Sequence, residues 1–161
     1  MAGAKRRRVH PPDAGFGSLL IYYLDTSACV AAFTPEAWTG RVQSWFEEDA
    51  ERALAISPWV LAEFESALSI KVRTGGMPIE DRARVAPQWR AFCVARAHLL
   101  AITMTNFTHA AQIAARHALA MRASDALHLA IAAAAGCTLV TLDERMAKAA
   151  PEVGVPVAEI P

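Results

Sequence analysis

Short, almost wholly apolar runs alternate along this chain with longer segments whose apolar positions recur every three or four residues. The first pattern predicts buried strands and the second predicts helices. Leu19 to Leu24 is the first such run, with Ile and two Tyr, and reads as a central strand covered on both faces. Ala53 to Ile56, Leu99 to Met104 and Cys137 to Leu142 read as the next three, and Val155 to Ile160 as an edge strand in which Pro156 is tolerable. Between them, Thr26 or Ser27 can cap a short helix ending at Phe33, and Pro35-Glu36 opens another that carries Val42, Trp45 and Phe46. Ser57-Pro58 and Gly75-Gly76 bracket a helix from Pro58 to about Arg73. A longer one runs from about Ile79 to His98, with a kink or break expected at Pro87. Thr105 or Asn106 caps a helix ending near Ala120, Ser124 caps Asp125 to Ala135 with Gly136 as the stop, and Glu144 to Ala150 closes the series.

Strands that alternate with helices over the whole length predict an α/β fold with a central parallel sheet of four to five strands between helical layers. There is no internal repeat or linker, so residues 19–161 read as one domain behind a flexible basic leader at 1–18. Arg6-Arg7-Arg8 in that leader could also serve as a nucleic-acid-binding arm.

Apolar residues make up 54% of the chain and charged ones 20%, which excludes general disorder. The formal net charge is zero. Long-range attraction to nucleic acid is therefore weak, and any phosphate binding has to come from clustered arginines or from a metal. Cys29, Cys93 and Cys137 are odd in number and set in apolar segments without metal-ligand spacing, which suits buried thiols in a reducing cytoplasm. The longest apolar stretch, Ala126 to Val140, is too short to span a membrane and is interrupted by His128 and Gly136.

The informative charges are Asp25, Glu63, Asp125 and Asp143, each placed where a strand ends or an adjoining helix begins. A parallel sheet gathers such positions at its carboxyl edge, the usual ligand site of this fold class. Like-charged carboxylates in one place resist ionising together, and a divalent cation resolves that conflict. Each acid also has a simpler account. Asp125 can serve as a charge against the helix N-terminus, Asp143 as a cap, and Glu63 as a solvated flank no different in periodicity from Glu65.

Four segments in order, Tyr23-Leu-Asp-Thr-Ser-Ala28, Ala62-Glu-Phe64, Arg122-Ala-Ser-Asp-Ala-Leu-His-Leu-Ala130 and Thr141-Leu-Asp143, resemble the PIN-domain ribonucleases, and among these the VapC-type toxins of bacterial toxin–antitoxin pairs. The resemblance runs from about Leu19 to the end and selects Glu63 over Glu65. It implies a PIN-like three-layer α/β/α sandwich and endoribonucleolytic cleavage that leaves a 5′-phosphate and a 3′-hydroxyl. Asp25 and Asp125 are implied as main ligands of Mg²⁺, for which Mn²⁺ can substitute, with Glu63 and Asp143 completing the pocket directly or through water. Such oxygen ligands suit these hard cations, which activate water and stabilise the leaving oxygen. The implied partners are an RNA substrate, a cognate VapB-like antitoxin whose C-terminal segment covers the site, and a second copy of the chain. The residues before Leu19 depart from the family, whose first strand usually starts the chain.

Thr26, Ser27 and Thr141 are candidates to position water or phosphate through their hydroxyls, although capping and strand-end hydrogen bonding account for them better than direct catalysis does. His128, one turn after Asp125 in an apolar helix, reads as a packed residue with a local hydrogen bond rather than a ligand. His98, His109 and His117 show no ligand spacing, which argues against zinc. Trp38, Trp45, Trp59 and Trp89 read mainly as packing residues. Arg73, Arg82, Arg84 and Arg90, around the Gly75-Gly76 turn, could hold an RNA backbone or simply form a solvated face. An aspartyl-phosphate phosphatase lacks its second Asp here, since Ser27 stands in that place. A receiver domain lacks its paired acid and its lysine. An inactive PIN-like binding module remains the non-enzymatic alternative.

Overall fold

The computed structural model describes residues 20–161. The basic leader and its arginines lie outside the described residues. Strands β1 (Ile21–Leu24), β2 (Ala53–Ile56), β3 (Ala97–Leu99) and β4 (Thr138–Val140) form one parallel sheet in the order β3-β2-β1-β4. The chain thus builds outward from β1 to β2 and β3, then returns to place β4 on the other side of β1. Ligands of open α/β sheets bind where the winding reverses in this way, and here that is the cleft at the carboxyl ends of β1 and β4.

Helices α1 (Thr26–Phe33), α2 (Thr39–Glu47), α3 (Pro58–Arg73), α4 (Ile79–Arg96), α5 (Met104–Ala115), α6 (Ala123–Ala135) and α7 (Glu144–Ala149) complete the expected α/β fold. The central strands are buried on both faces, which explains their unbroken apolar runs. On α3, Val60, Phe64 and Leu68 point inward at helical spacing. Phe64 stacks on Trp89 of α4 at 4.3 Å between ring centres, and Phe33 and Phe92 close around Trp89 at 5.4 and 5.9 Å. Trp45 and Trp89 are buried, as packing residues should be, whereas Trp38 is 41% exposed.

Several boundaries differ from those predicted. The third strand is not Leu99–Met104 but Ala97–Leu99: α4 runs directly into it, and Thr103 is claimed by a capping box with Asn106 that starts α5. That helix stops at Ala115, and a 3₁₀ turn at His117–Leu119 follows. Pro87 leaves α4 as one helix, because Pro87 and Ala83, whose carbonyl loses a partner, are both on its exposed face. Asp25, not Thr26 or Ser27, caps α1. Ser124 makes no cap for α6, which begins one residue earlier. The fifth strand is reduced to one bridge, Leu139 with Val157, flanked by bonds from Leu139 N to the Pro156 carbonyl and from Ala158 N to the Leu139 carbonyl. Gly136 ends α6 with φ of 65°, a conformation that strains any residue with a Cβ.

Because Trp89 joins α4 to both α1 and α3, Trp89→Ala should lower unfolding stability by about 3–5 kcal/mol in a denaturant titration; a loss below about 1 kcal/mol would show that the aromatic cluster does not hold these helices together.

Candidate active site

Asp25 follows β1 directly. Its backbone N–H is bonded to the Val140 carbonyl of β4 at 3.0 Å, so the sheet itself fixes where the side chain leaves the chain. The carboxylate is 2% exposed and is enclosed by donors. Ala28 N donates to Oδ1 at 3.0 Å, the Ser27 hydroxyl spans both oxygens at 2.7 and 3.0 Å, and the Thr141 hydroxyl donates to Oδ2 at 2.7 Å. The same two hydroxyls accept from the loop after β4: Leu142 N donates to Ser27 and Asp143 N to Thr141, at 2.8 and 3.0 Å. Thr141 and Ser27 therefore tie the ends of β1 and β4 together through Asp25. Burial raises the Asp25 carboxyl above the ordinary range, and the nearby His128 and these donors offset only part of that.

Glu63 is placed by α3, on the flank of its buried stripe. Its Oε2 accepts from the Thr26 hydroxyl and from His128 Nε2, the latter at 2.7 Å. Burial pushes the Glu63 carboxyl up, but hydrogen bonds from His128 and Thr26 outweigh it and hold the group below the usual range. The Trp59 indole N–H adds a smaller pull from outside hydrogen-bond geometry. Glu65 turns instead to Arg82 and Arg90, at 3.0 and 3.5 Å. The two glutamates that periodicity could not separate thus face different sides of α3.

Asp125 lies in the first turn of α6, where the helix dipole favours its charge, and accepts from the Ser124 hydroxyl at 3.1 Å. Asp143 caps α7 through Oδ1, which accepts from Arg145 N and Met146 N at 2.8 and 3.1 Å. Both acids keep these simpler roles and still line the same cavity as the other two. That cavity measures about 310 Å³ and is bounded by Asp25, Thr26, Ser27, Glu63, Asp125 and Asp143, with His128 also on its wall. Thr141 stands behind it, against Asp25. His128 is packed as expected, at 2% exposed, but its partners are distant in sequence: Tyr23, and the candidate acid Glu63 itself.

The donor set is hard carboxylate oxygen, which fits Mg²⁺ or Mn²⁺ and not a softer metal. Among the described residues, no three His, Cys, Asp or Glu side chains stand close enough together to hold an ion by themselves.

Of the four arginines near the Gly75-Gly76 turn, Arg82 and Arg90 are shared by Glu65 and Arg84 is paired with Asp81. A second basic feature was not evident from spacing: Arg116, Arg145 and Lys148 line a cavity of about 410 Å³ beside α7, with Glu152 as its acid. Arg145 reaches Asp143 at 3.9 Å and so adjoins the acidic cavity. Arg116 is 29 residues before Arg145 in the chain, which is why no local charge run announced this group.

Because folding raises the Asp25 carboxyl, the native state holds its proton to higher pH than the unfolded chain does. Stability from this group therefore declines as pH rises out of the ordinary carboxylate range. In chelator-treated protein, Asp25→Asn should melt above the wild type at neutral pH, with the gap closing on acidification; a gap that widens in acid would contradict the assigned shift.

No curated relative matches the chain by sequence. The chain is similar in structure to VapBC2 from Rickettsia felis, solved with a DNA fragment from its promoter: TM-score 0.61, 20% identity, 87% of this chain and 98% of that one. It is likewise similar to FitAcB from Neisseria gonorrhoeae, with TM-score 0.64, 17% identity, and 86% and 96% coverage. For VapC20 from Mycobacterium tuberculosis, a toxin that cleaves the sarcin-ricin loop, the values are 0.63, 19%, and 80% and 94%. At these identities the likeness speaks for the fold. The family model of the PIN domain matches residues 22–151, which takes in β1 with Asp25, Glu63, Asp125 and β4 with Asp143, and the chain belongs to the PIN-domain family.

Proposed function

We propose that this protein is a Mg²⁺- or Mn²⁺-dependent endoribonuclease of the VapC toxin type, held in check by a cognate VapB-like antitoxin. The observation that carries this reading is the meeting of Asp25, Glu63, Asp125 and Asp143 around one cavity at the winding reversal of a PIN-domain sheet. Membership of the family supports a nuclease, and the VapBC, VapC and FitAB structures it resembles support the toxin–antitoxin setting.

Asp25 and Asp125 are assigned as the main cation ligands, with Glu63 and Asp143 acting directly or through water. When bound, the ion supplies positive charge to the scissile phosphate and lowers the pKa of a coordinated water. Asp25 is held by Ser27, Thr141 and Ala28, so its oxygens keep one orientation as substrate enters. Glu63 is ionised beforehand by its hydrogen bonds to His128 and Thr26. The basic cavity of Arg116, Arg145 and Lys148 supplies phosphate contacts, because Arg145, at 3.9 Å from Asp143, places it beside the acids.

A groove lined by Val30, Trp38, Ile70 and Leu142 continues from the acidic cavity past Thr26 and Ser27, and suits an antitoxin segment with apolar side chains. Exposed Met104 and Phe107 on α5 and Val94 on α4 offer apolar surface for a second copy in a homodimer. No described helix is long and apolar enough to cross a membrane.

Antitoxin-free protein given a mixed RNA pool with Mg²⁺ or Mn²⁺ should cut it, EDTA should stop the reaction, and Asp125→Asn should reduce it at least a hundredfold while remaining folded. A folded mutant of full activity would remove Asp125 from the site, and wild type that neither cuts nor binds metal would favour an inactive binding module. For RNA contact, Arg145→Ala with Lys148→Ala should flatten the salt dependence of binding by roughly two charges. If the same flattening came instead from Arg73→Ala with Arg90→Ala, the substrate path would lie along α3 and α4.

A further inference from the structure

Behind the acidic cavity, Ser57, Tyr23 and His128 are each 2% exposed or less and form a single chain of hydrogen bonds that ends on Glu63. Ser57 Oγ lies 2.9 Å from the Tyr23 hydroxyl, which lies 3.0 Å from His128 Nδ1, and His128 Nε2 lies 2.7 Å from Glu63 Oε2. The chain joins β1, the start of α3 and α6, and its chemistry sets which atom donates at each step. Glu63, as a carboxylate, can only accept, so Nε2 carries a hydrogen. On a neutral imidazole, Nδ1 is then the acceptor, and the group able to donate to it is the Tyr23 phenol. The phenol oxygen in turn accepts from Ser57. Every donor points toward Glu63.

A second observation concerns Ser57. It occupies the N-cap of α3, where a serine side chain ordinarily accepts from a backbone N–H, yet it makes no such bond. Its hydroxyl is directed to Tyr23. Pro58 at N1 removes one unpaired N–H but not those that follow, so the helix forgoes a stabilising contact that the serine could have made.

We propose that Tyr23 is a positioning residue for the site: by donating to His128 Nδ1 it holds the imidazole with Nε2–H on one Glu63 oxygen, so that the other oxygen stays turned to the cation. The role of the ion rests on the function proposed above; the anchoring of His128 does not. Oε2 is occupied by both Thr26 and His128, which leaves Oε1 for a ligand or its water. Groups hydrogen-bonded to a metal ligand, as His128 is to Glu63, ordinarily change metal affinity by about 10- to 100-fold through the orientation of that ligand, and Tyr23 acts through His128.

The test uses Tyr23→Phe, which removes the buried hydrogen bonds to both Ser57 and His128, beside Ser57→Ala, which removes the first and keeps the second, so that the bond to His128 is what separates the two variants. Long-range ¹H–¹⁵N correlation spectra of metal-free protein should show His128 with its proton on Nε2 and Nδ1 as an acceptor. Tyr23→Phe should move Nδ1 to the position of an unbonded nitrogen or mix the two tautomers, and should weaken Mn²⁺ binding, followed by electron paramagnetic resonance, about tenfold or more. Ser57→Ala should change both readouts far less. A proton on Nδ1 in the wild type, or a folded Tyr23→Phe protein with unaltered imidazole signals and Mn²⁺ affinity, would overturn the proposal. Wild type with the expected tautomer but no Mn²⁺ binding would overturn the metal reading and leave the anchoring of His128 by Tyr23 intact.

Discussion

A carboxylate buried at the end of a central strand costs more to desolvate than neutral hydrogen bonds return, and Asp25 is held in that position from every side. Its backbone belongs to the sheet, its Oδ1 caps α1, and its remaining lone pairs are met by Ser27 and Thr141. Those hydroxyls then accept from the loop that starts α7. One side chain thus couples the first strand, the first helix and the last strand at the point where the winding of the sheet reverses. Two of the other acids are tied to that point: Glu63 through Thr26, next in sequence to Asp25, and Asp143 through the loop bonded to Thr141 and Ser27.

Asp25 and Glu63 are pushed in opposite directions by what surrounds them. Asp25 has donors yet is raised, because it has almost no contact with solvent; Glu63 is half-buried and lowered, because His128 and Thr26 both address one oxygen. Environments that drive neighbouring carboxyls apart assign them different tasks. Glu63 is ionised and oriented before any ligand arrives. On the proposed function, a cation in the cavity would offset the burial that raises the Asp25 carboxyl. Neither neutral replacement would reproduce that division.

Much of the fold was legible because the signals were local and strong. The span of α3 follows from Ser57-Pro58 and Gly75-Gly76, and β1, β2 and β4 from apolar runs with no polar face to satisfy. The third strand was misplaced for an equally local reason: Leu99 to Met104 has strand-like residues, but a reciprocal cap between Thr103 and Asn106 commits the second half to α5, while α4 delivers Ala97 to the sheet without a turn. In the site, the positions of Asp25 and Asp143 could be read from strand ends. Glu63 could not be told from Glu65 by periodicity, since the difference lies in partners on other elements: His128 on α6 for one, Arg82 and Arg90 on α4 for the other. The basic cavity beside α7 was hidden in the same way, its cations being brought together only by the return of the chain past β4.

Tyr23 shows how a residue can be right at one level of reading and incomplete at the next. In sequence it is a strand residue with the bulk and apolar ring that a central sheet position favours, and in the structure it is fully buried as that reading requires. A phenylalanine would satisfy the packing. What a phenylalanine could not do is meet Ser57 and His128 at once, and a buried hydroxyl between two polar partners is retained at a desolvation cost that only its hydrogen bonds offset. The core therefore carries a polar line to Glu63 through the middle of the sheet. It ends on the wall of the cavity that the four acids border, and so ties the composition of the core to the geometry of the site.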